Sequence, residues 1–208
     1  MKTCNIGGCN GEIKAKGFCN RHYKQMRRCG KTLERTQRDP NEIIIRGDIA
    51  EIVLYDKNCN EKARTIIDAE DVEKVKKYKW RLACGYVRTI LDRKSIGIQH
   101  LIMGAKPDKK KIIDHKDRNP LNNQKANLRF CTHADNRRNG ARKSDNTSGF
   151  KGVYLSKATR MWIAQIAINR KCYHLGTFKN KIKAAIAYNE AAIKHYSEFA
   201  NVNKIGAT

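Results

Sequence analysis

No stretch of this 208-residue chain holds the ~18 consecutive apolar residues that a membrane-crossing helix needs. The opening Met1-Lys2-Thr3-Cys4-Asn5 lacks the apolar core of a signal peptide, so a cytoplasmic chain without a membrane partner is expected. Acidic residues are scarce. Asp and Glu total 20 against 44 Lys and Arg, a formal charge of +24, which points to a polyanionic partner, and nucleic acid fits better than a membrane surface. Apolar residues are few as well: 40% hydrophobic and 7% aromatic argue against one large core and for several small modules, which often require a staple such as zinc. Closely paired cysteines, the mark of a secreted disulfide scaffold, are missing too. The eight present are Cys4, Cys9 and Cys19 in a cluster, then Cys29, Cys59, Cys84, Cys131 and Cys172 spread along the chain, a pattern better suited to one metal site in a reducing compartment. Internal repeats and extended low-complexity tracts are also absent.

The cluster is spaced Cys4-x4-Cys9-x9-Cys19-x2-His22, with glycines nearby for tight turns. Three thiolates and an imidazole suit a closed, structural Zn²⁺ site, with Cys29 as an alternative ligand. Lys14, Lys16, Arg21, Lys24, Arg27 and Arg28 surround it and could contact a DNA backbone. The cluster resembles the zinc knuckles at the start of some phage nucleases. A polar linker is expected from Lys31 to Pro40. Short strands follow at Ile43 to Ile45 and Ala50 to Tyr55, and a helix from Asp68 to about Lys77 with an acidic first turn. Strand character returns from Trp80 to Leu91, interrupted at Gly85, and Ile98 to Met103 begins a short helix.

Ile112 to Gly140 is the most informative stretch. Ile112-Ile113 reads as a strand ending at Asp114-His115. Asn-Pro and Asn-Asn mark a loop, and Leu128 to Cys131 reads as a second strand. Thr132-His133-Ala134-Asp135 has the form of a capping box, so a helix starts there and can end at Gly140. This layout suits phosphodiester hydrolysis, in which water is a poor nucleophile and the alkoxide a poor leaving group. A histidine can take a proton from water, and a hard cation beside the leaving oxygen stabilises its charge. The oxygens of Asp114 and Asn136 favour Mg²⁺ or Mn²⁺, with His115 as the base.

Asp114-His115, then Asn127 after eleven intervening residues, then Asn136 after eight more, resemble the H-N-H (ββα-metal) endonucleases, and most of all phage and intron homing endonucleases of the H-N-N subtype. The resemblance implies that His115 is the general base, that Asp114 and Asn136 bind the metal, and that Asn127 orients His115 and braces the hairpin. His100, in Gln99-His100-Leu101, resembles a segment preceding that hairpin and is read as mainly structural. Arg118, Arg129, Arg137 and Arg138 are candidate phosphate ligands, each with a solvated surface charge as the alternative.

After a linker from Ala141 to Ser148, the stretches at 151–155, 162–168 and 171–178 read as strands and an Ala-rich helix starts near Lys181. Alternation puts Trp162, Ala164, Ile166 and Ile168 toward the helix, and Ile182, Ala185, Ile186, Asn189, Ile193 and Tyr196 on its inner stripe. Ile163, Gln165, Ala167 and Asn169 are left on the open face. The motifs Ser148-Gly149-Phe150-Lys151-Gly152-Val153-Tyr154, Trp162-Ile163-Ala164 and His174-Leu175-Gly176-Thr177-Phe178 resemble the DNA-binding domain of plant APETALA and ethylene-response factors. That resemblance implies a sheet entering the major groove. By position, Lys151, Tyr154, Ser156, Gln165 and His174 are the candidate contacts, although the arginines of the plant pattern are mostly missing.

The expected fold is therefore α+β in three modules: a zinc knuckle at 1–30, a ββα-metal nuclease at 41–140, and a three-stranded antiparallel sheet packed on one helix at 148–203. The expected activity is site-specific cleavage of double-stranded DNA, at the nucleoid of a phage or bacterial host cell. A monomer would nick, and a homodimer could cut both strands. The competing readings are a non-catalytic DNA-binding regulator and an RNA-binding protein.

Overall fold

The computed structural model describes residues 3–7, 9–32, 35–37, 39–106, 108, 111–142 and 144–206. Met1 and Lys2 of the opening segment lie outside them, as do Leu33, Glu34, Arg38 and Lys143 of the two expected linkers. The chain forms two compact units, Met1–Lys106 with Pro120–Lys125, and Pro107–Asn119 with Ala126–Thr208.

In the first unit, Lys16 and Gly17 both adopt positive φ and make the two-residue turn between β1 (Ile13–Ala15) and β2 (Phe18–Cys19). Helix α1 (Asn20–Cys29) follows directly and stops at Gly30, whose φ of 68° lets its N–H bond the Met26 carbonyl. Strands β3 (Ile43–Arg46), β4 (Ile49–Tyr55) and β5 (Glu61–Asp68) form an antiparallel sheet, and β6 (Arg81–Ala83), β7 (Tyr86–Leu91) and β8 (Lys94–Gly97) form another. Between them lie a 3-10 turn at Ala69–Asp71 and the short helix α2 (Val72–Val75), and α3 (Ile98–Ile102) follows β8. Ile52, Leu54, Ile67, Val75, Trp80 and Ile98 are completely or almost completely buried. Asn41 fixes Trp80 in place: its Oδ1 accepts from the Trp80 N–H at 2.7 Å, and its Nδ2 donates to the Trp80 and Val53 carbonyls.

Strands β1 and β2 were not anticipated, and neither were two strands of the larger sheets. β5 begins with the polar run Glu61-Lys62-Ala63-Arg64, which hides its alternation, and β8 is short and polar. The helix expected from Asp68 is reduced to the 3-10 turn and α2, because Asp68 still belongs to β5. Residues 120–125 add to β5 through a parallel bridge between Ile66 and Asn122. Asn123, read above as a turn residue, is fully buried there, donating to Thr65 Oγ1 and the Pro120 carbonyl at 2.9 Å each.

In the second unit, β9 (Ile112–His115) pairs antiparallel with β10 (Leu128–Cys131), and α4 (His133–Asn139) follows. The capping box at Thr132 forms as the sequence suggests, with Thr132 Oγ1 accepting from the Asp135 N–H and the Asp135 carboxylate accepting from the Thr132 N–H. Strands β11 (Val153–Leu155), β12 (Trp162–Ile168) and β13 (Lys171–Phe178) make a three-stranded antiparallel sheet packed on α5 (Lys181–Tyr196). Strands β9 and β10 and helix α4 belong to the same compact unit as this sheet.

Ala164 and Ile166 face α5, as alternation predicts. The inner stripe of α5 differs from expectation. Ala184, Ala185, Tyr188, Ala192 and Tyr196 are buried, while Ile186 and Ile193 are exposed. Small side chains let the helix approach the sheet closely, and Tyr188 and Tyr196 pack beside Ile166 and Ala192, which outweighs the pull of the isoleucines. The closest approach is at Gly152 (φ +74°), where a Cβ would stand 2.0 Å from Tyr188 Cδ2 and 2.7 Å from the Gln165 carbonyl. Gly152→Ala should therefore cost about 3 kcal/mol, from strained φ and overpacking together. Chemical denaturation would check this, and an unchanged stability would mean that the helix can shift away freely.

Candidate active site and metal-ligand clusters

Antiparallel register sets Asp114 opposite Arg129 and His115 opposite Leu128. Asp114 and His115, at the end of β9, are 6% and 5% exposed. Asp114 Oδ2 accepts from Arg129 Nε at 3.0 Å and Nη2 at 2.9 Å. Asn139, at the end of α4, donates Nδ2 to Asp114 Oδ1 (3.1 Å), to Asp114 Oδ2 (3.0 Å) and to the His115 carbonyl (2.9 Å). The same carbonyl accepts the Arg118 N–H at 2.9 Å. The strand end that carries the two candidate residues is thus held from β10, α4 and the loop. Neighbouring Cys131 is buried, and burial together with the charges of Asp114 and Asp135 pushes its thiol up to about 11, so it stays a neutral thiol.

Asn127 works within the loop. Its Oδ1 accepts from the Asp117 N–H at 3.0 Å and its Nδ2 donates to Asp117 Oδ1 at 2.9 Å. Its carbonyl accepts the Lys116 N–H, closing the base of the loop. Asn136 lies exposed on α4, and among the described residues no hydrogen bond joins it to Asp114. Asn139, which does make that bond, went unrecognised in the sequence. Its signal was available: it lies three residues beyond Asn136, on the same side of a short helix.

The candidate phosphate and base contacts divide. Arg137 is exposed, and Arg118 is exposed with its guanidinium hydrogen-bonded to Asn201. Arg138 pairs with Asp135 at 2.7 Å. Arg129, at 9% exposure, faces inward: Nε and Nη2 donate to Asp114 and Nη1 to the Glu198 carbonyl. Lys151 is drawn inward as well. Its Nζ donates to the Arg138 and Gly140 carbonyls at 2.6 and 2.7 Å, and burial together with the Arg118 charge lowers its ammonium to about 8. It caps the end of α4. Tyr154 and His174 are exposed, and Gln165 lies opposite His174 in the β12–β13 register. Ser156 accepts the Thr159 N–H at 3.3 Å in the turn after β11.

In the first unit, one ligand atom from each of Cys4, Cys9, Cys19 and His22 falls within 4.8 Å of the others. Cys4 Sγ lies 3.1 Å and Cys19 Sγ 3.4 Å from His22 Nδ1. Burial opposes charge on Cys4, but N–H groups at Cys19 and Ile6, with the His22 and Cys19 side chains, outweigh it and bring the thiol down to about 6. Gly11 leaves room for the cluster, since a Cβ there would stand 2.8 Å from Cys19 Cβ. Cys29, the alternative ligand, lies outside this group and is 3.7 Å from Asn58 Oδ1. A second group, Asp68, Glu70 and Asp71, is already met by Lys125, which bonds Glu70 and approaches Asp71 at 3.1 Å, and by Lys74 on Asp71 at 2.6 Å. His100 on α3 is partly buried. Burial and the Arg88 charge lower its imidazole below the usual range, and its Nδ1 finds no partner among the described residues.

The site thus sets Asp114 and His115 at a strand end in a strand, loop, strand and helix succession. The HNH endonuclease family model matches residues 100–138, the segment that contains it. An uncharacterized HNH endonuclease of Acanthamoeba polyphaga mimivirus is 32% identical over 135 residues, 63% of this chain and 70% of that protein. Protein 3.8 of Escherichia phage T7 is 41% identical over 59 residues, 28% of this chain and 49% of that protein. The chain thus spans about half the length of the T7 relative. No solved structure matches. The chain belongs to the HNH endonuclease family.

Proposed function

We propose that the chain is a metal-dependent endonuclease of the H-N-N type that cuts one strand of duplex DNA at a defined site, as homing enzymes do. The observation that carries this reading is the buried Asp114-His115 pair at the end of β9, fixed by Arg129 and Asn139. Asp114 and Asn136 offer hard oxygen donors that suit Mg²⁺ or Mn²⁺, and Asp114 Oδ1, with one donor at 3.1 Å, keeps a lone pair for such a cation. When bound, the cation would stabilise charge on the leaving oxygen. His115 takes a proton from water as the water oxygen bonds to phosphorus and the bond from phosphorus to the leaving oxygen breaks. Asn127 braces the loop through Asp117. Cys4, Cys9, Cys19 and His22 would hold a structural Zn²⁺.

Tyr154, Ser156, Gln165 and His174 on the β11–β13 sheet are the proposed base-reading groups, and Arg118, Arg137 and Arg138 the proposed phosphate contacts near the site. The test is incubation of supercoiled and genomic DNA with the purified chain in Mg²⁺ and in excess EDTA. Nicks at a repeatable position in Mg²⁺ alone support the reading. Tight binding without cleavage in either Mg²⁺ or Mn²⁺ would support the regulator instead, and tighter binding of RNA in competition the RNA-binding protein.

Helix α1 supplies a further phosphate surface. Arg21, Lys24 and Arg28 line one groove of about 740 Å³ with Thr36, Gln37 and Asp39. Replacing these three basic residues by alanine should reduce the slope of log affinity against log salt by about 3, close to one per lost phosphate contact. A slope equal to that of the wild type would remove α1 from the interface.

A further inference from the structure

We propose that Arg129 is the positioning residue for Asp114, and that the chain just after α5 is the strap that holds Arg129 in place. The inference rests on the nuclease reading above and goes beyond it, because it makes the C-terminal sheet-and-helix part of the cutting site. Every nitrogen of the Arg129 guanidinium is engaged. Nε and Nη2 grip Asp114 Oδ2, and Nη1 donates to the Glu198 carbonyl at 2.6 Å. The Glu198 carboxylate stands 3.7 Å from Nη1, and the guanidinium lies 3.9 Å above the ring of Phe199. Glu198 and Phe199 belong to the 3-10 turn Ser197–Phe199.

Two further residues tie the strap down. Asn201 Nδ2 donates to the Gly140 carbonyl at 2.8 Å, and Arg118 bonds Asn201 Oδ1. The carboxylate is therefore held unequally. Among the described residues, Oδ2 accepts from three donors and Oδ1 from Asn139 alone. The fork of Arg129 thus selects Oδ1 as the oxygen left for a divalent cation. A planar guanidinium stacked on an aromatic ring can hold one oxygen in this way, whereas an ammonium cannot. A loosened strap would let the guanidinium turn and the carboxylate rotate.

Charge alone predicts something different, which makes the proposal testable. If Arg129 mattered only as a positive charge beside Asp114, Arg129→Lys would bind cation as the wild type does. If it positions the carboxylate, both Arg129→Lys and Phe199→Ala should weaken Mn²⁺ binding by roughly 10-fold or more, the range found when groups orienting a metal ligand are removed. Binding would be read on the full chain without DNA, from the loss of the free Mn²⁺ resonance signal on titration. Thermal melts would confirm that each variant is folded, and DNA affinity in EDTA should match the wild type. Phe199→Ala keeps the test valid should the lysine variant not fold, because it leaves the buried ion pair chemically intact. Mn²⁺ affinity equal to wild type in folded Phe199→Ala overturns the strap, and in folded Arg129→Lys overturns the positioning role. A wild-type chain that takes up no Mn²⁺ fails at the nuclease reading itself and takes this proposal with it.

Discussion

Replacing His115 by alanine should slow DNA cleavage by about 10²- to 10⁴-fold, the usual contribution of a positioned general base. DNA affinity measured in EDTA should not change. The two expectations separate because the residue does not itself touch DNA phosphates in the proposed mechanism: phosphate contacts come from Arg118, Arg137, Arg138 and α1, and base reading from the β11–β13 sheet. The carbonyl of His115 is fixed by Asn139 and by the Arg118 N–H, so the strand end keeps its path when the imidazole is removed. His115→Gln controls for the lost volume, since it fills much of the space and is no base. Single-turnover nicking measured at saturating Mg²⁺ is the readout. Cleavage by the alanine variant at the wild-type rate would sink the assignment of the base. A parallel loss of affinity would instead point to His115 as a DNA contact.

Local motifs were the most legible part of this chain. The capping box at Thr132, the Asp114-His115 strand end and the Cys4-Cys9-Cys19-His22 cluster all involve residues close in sequence or sharing one chemistry, and the structure brings each local group together. Long-range partners were not legible. Arg129 reads as one more basic residue until β9 and β10 pair and set it opposite Asp114, and its second partner, Glu198, lies 69 residues away. Lys151 likewise reads as a DNA contact until the end of α4 reaches its ammonium. In a chain of charge +24, basic composition conceals which few cations are structural. The inner stripe of α5 was misjudged for a related reason: hydrophobicity favours the isoleucines, but close packing against a sheet favours Ala184, Ala185 and Ala192.

Zinc chelation should unfold the amino-terminal segment outright while the C-terminal sheet stays folded. The segment has little else to hold it. Strands β1 and β2 are three and two residues long, and between Cys4 and Cys29 the buried residues among those described are the candidate ligands Cys4, Cys19 and His22, together with Gln25. Among the described residues no apolar side chain beyond the cysteines is buried there, so burial does not offset the conformational entropy of ordering about 25 residues. A Zn²⁺ on this donor set would contribute an apparent ~10–16 kcal/mol at neutral pH, enough to make folding and metal binding one event. Mass spectrometry under native conditions should find one zinc per chain, lost in Cys19→Ser. Proteolysis should then cut at Lys14 and Lys16, which lie in the β1–β2 hairpin, while fragments from the β11–β13 sheet persist. Cys19→Ser should also bind DNA more weakly than the wild type, because α1 begins directly after Cys19 and its basic groove depends on the fold of this segment. A zinc-free chain in which residues 3–30 resist protease as well as before would show that hydrogen bonds between the thiols and His22 suffice, and that the cluster is no metal site.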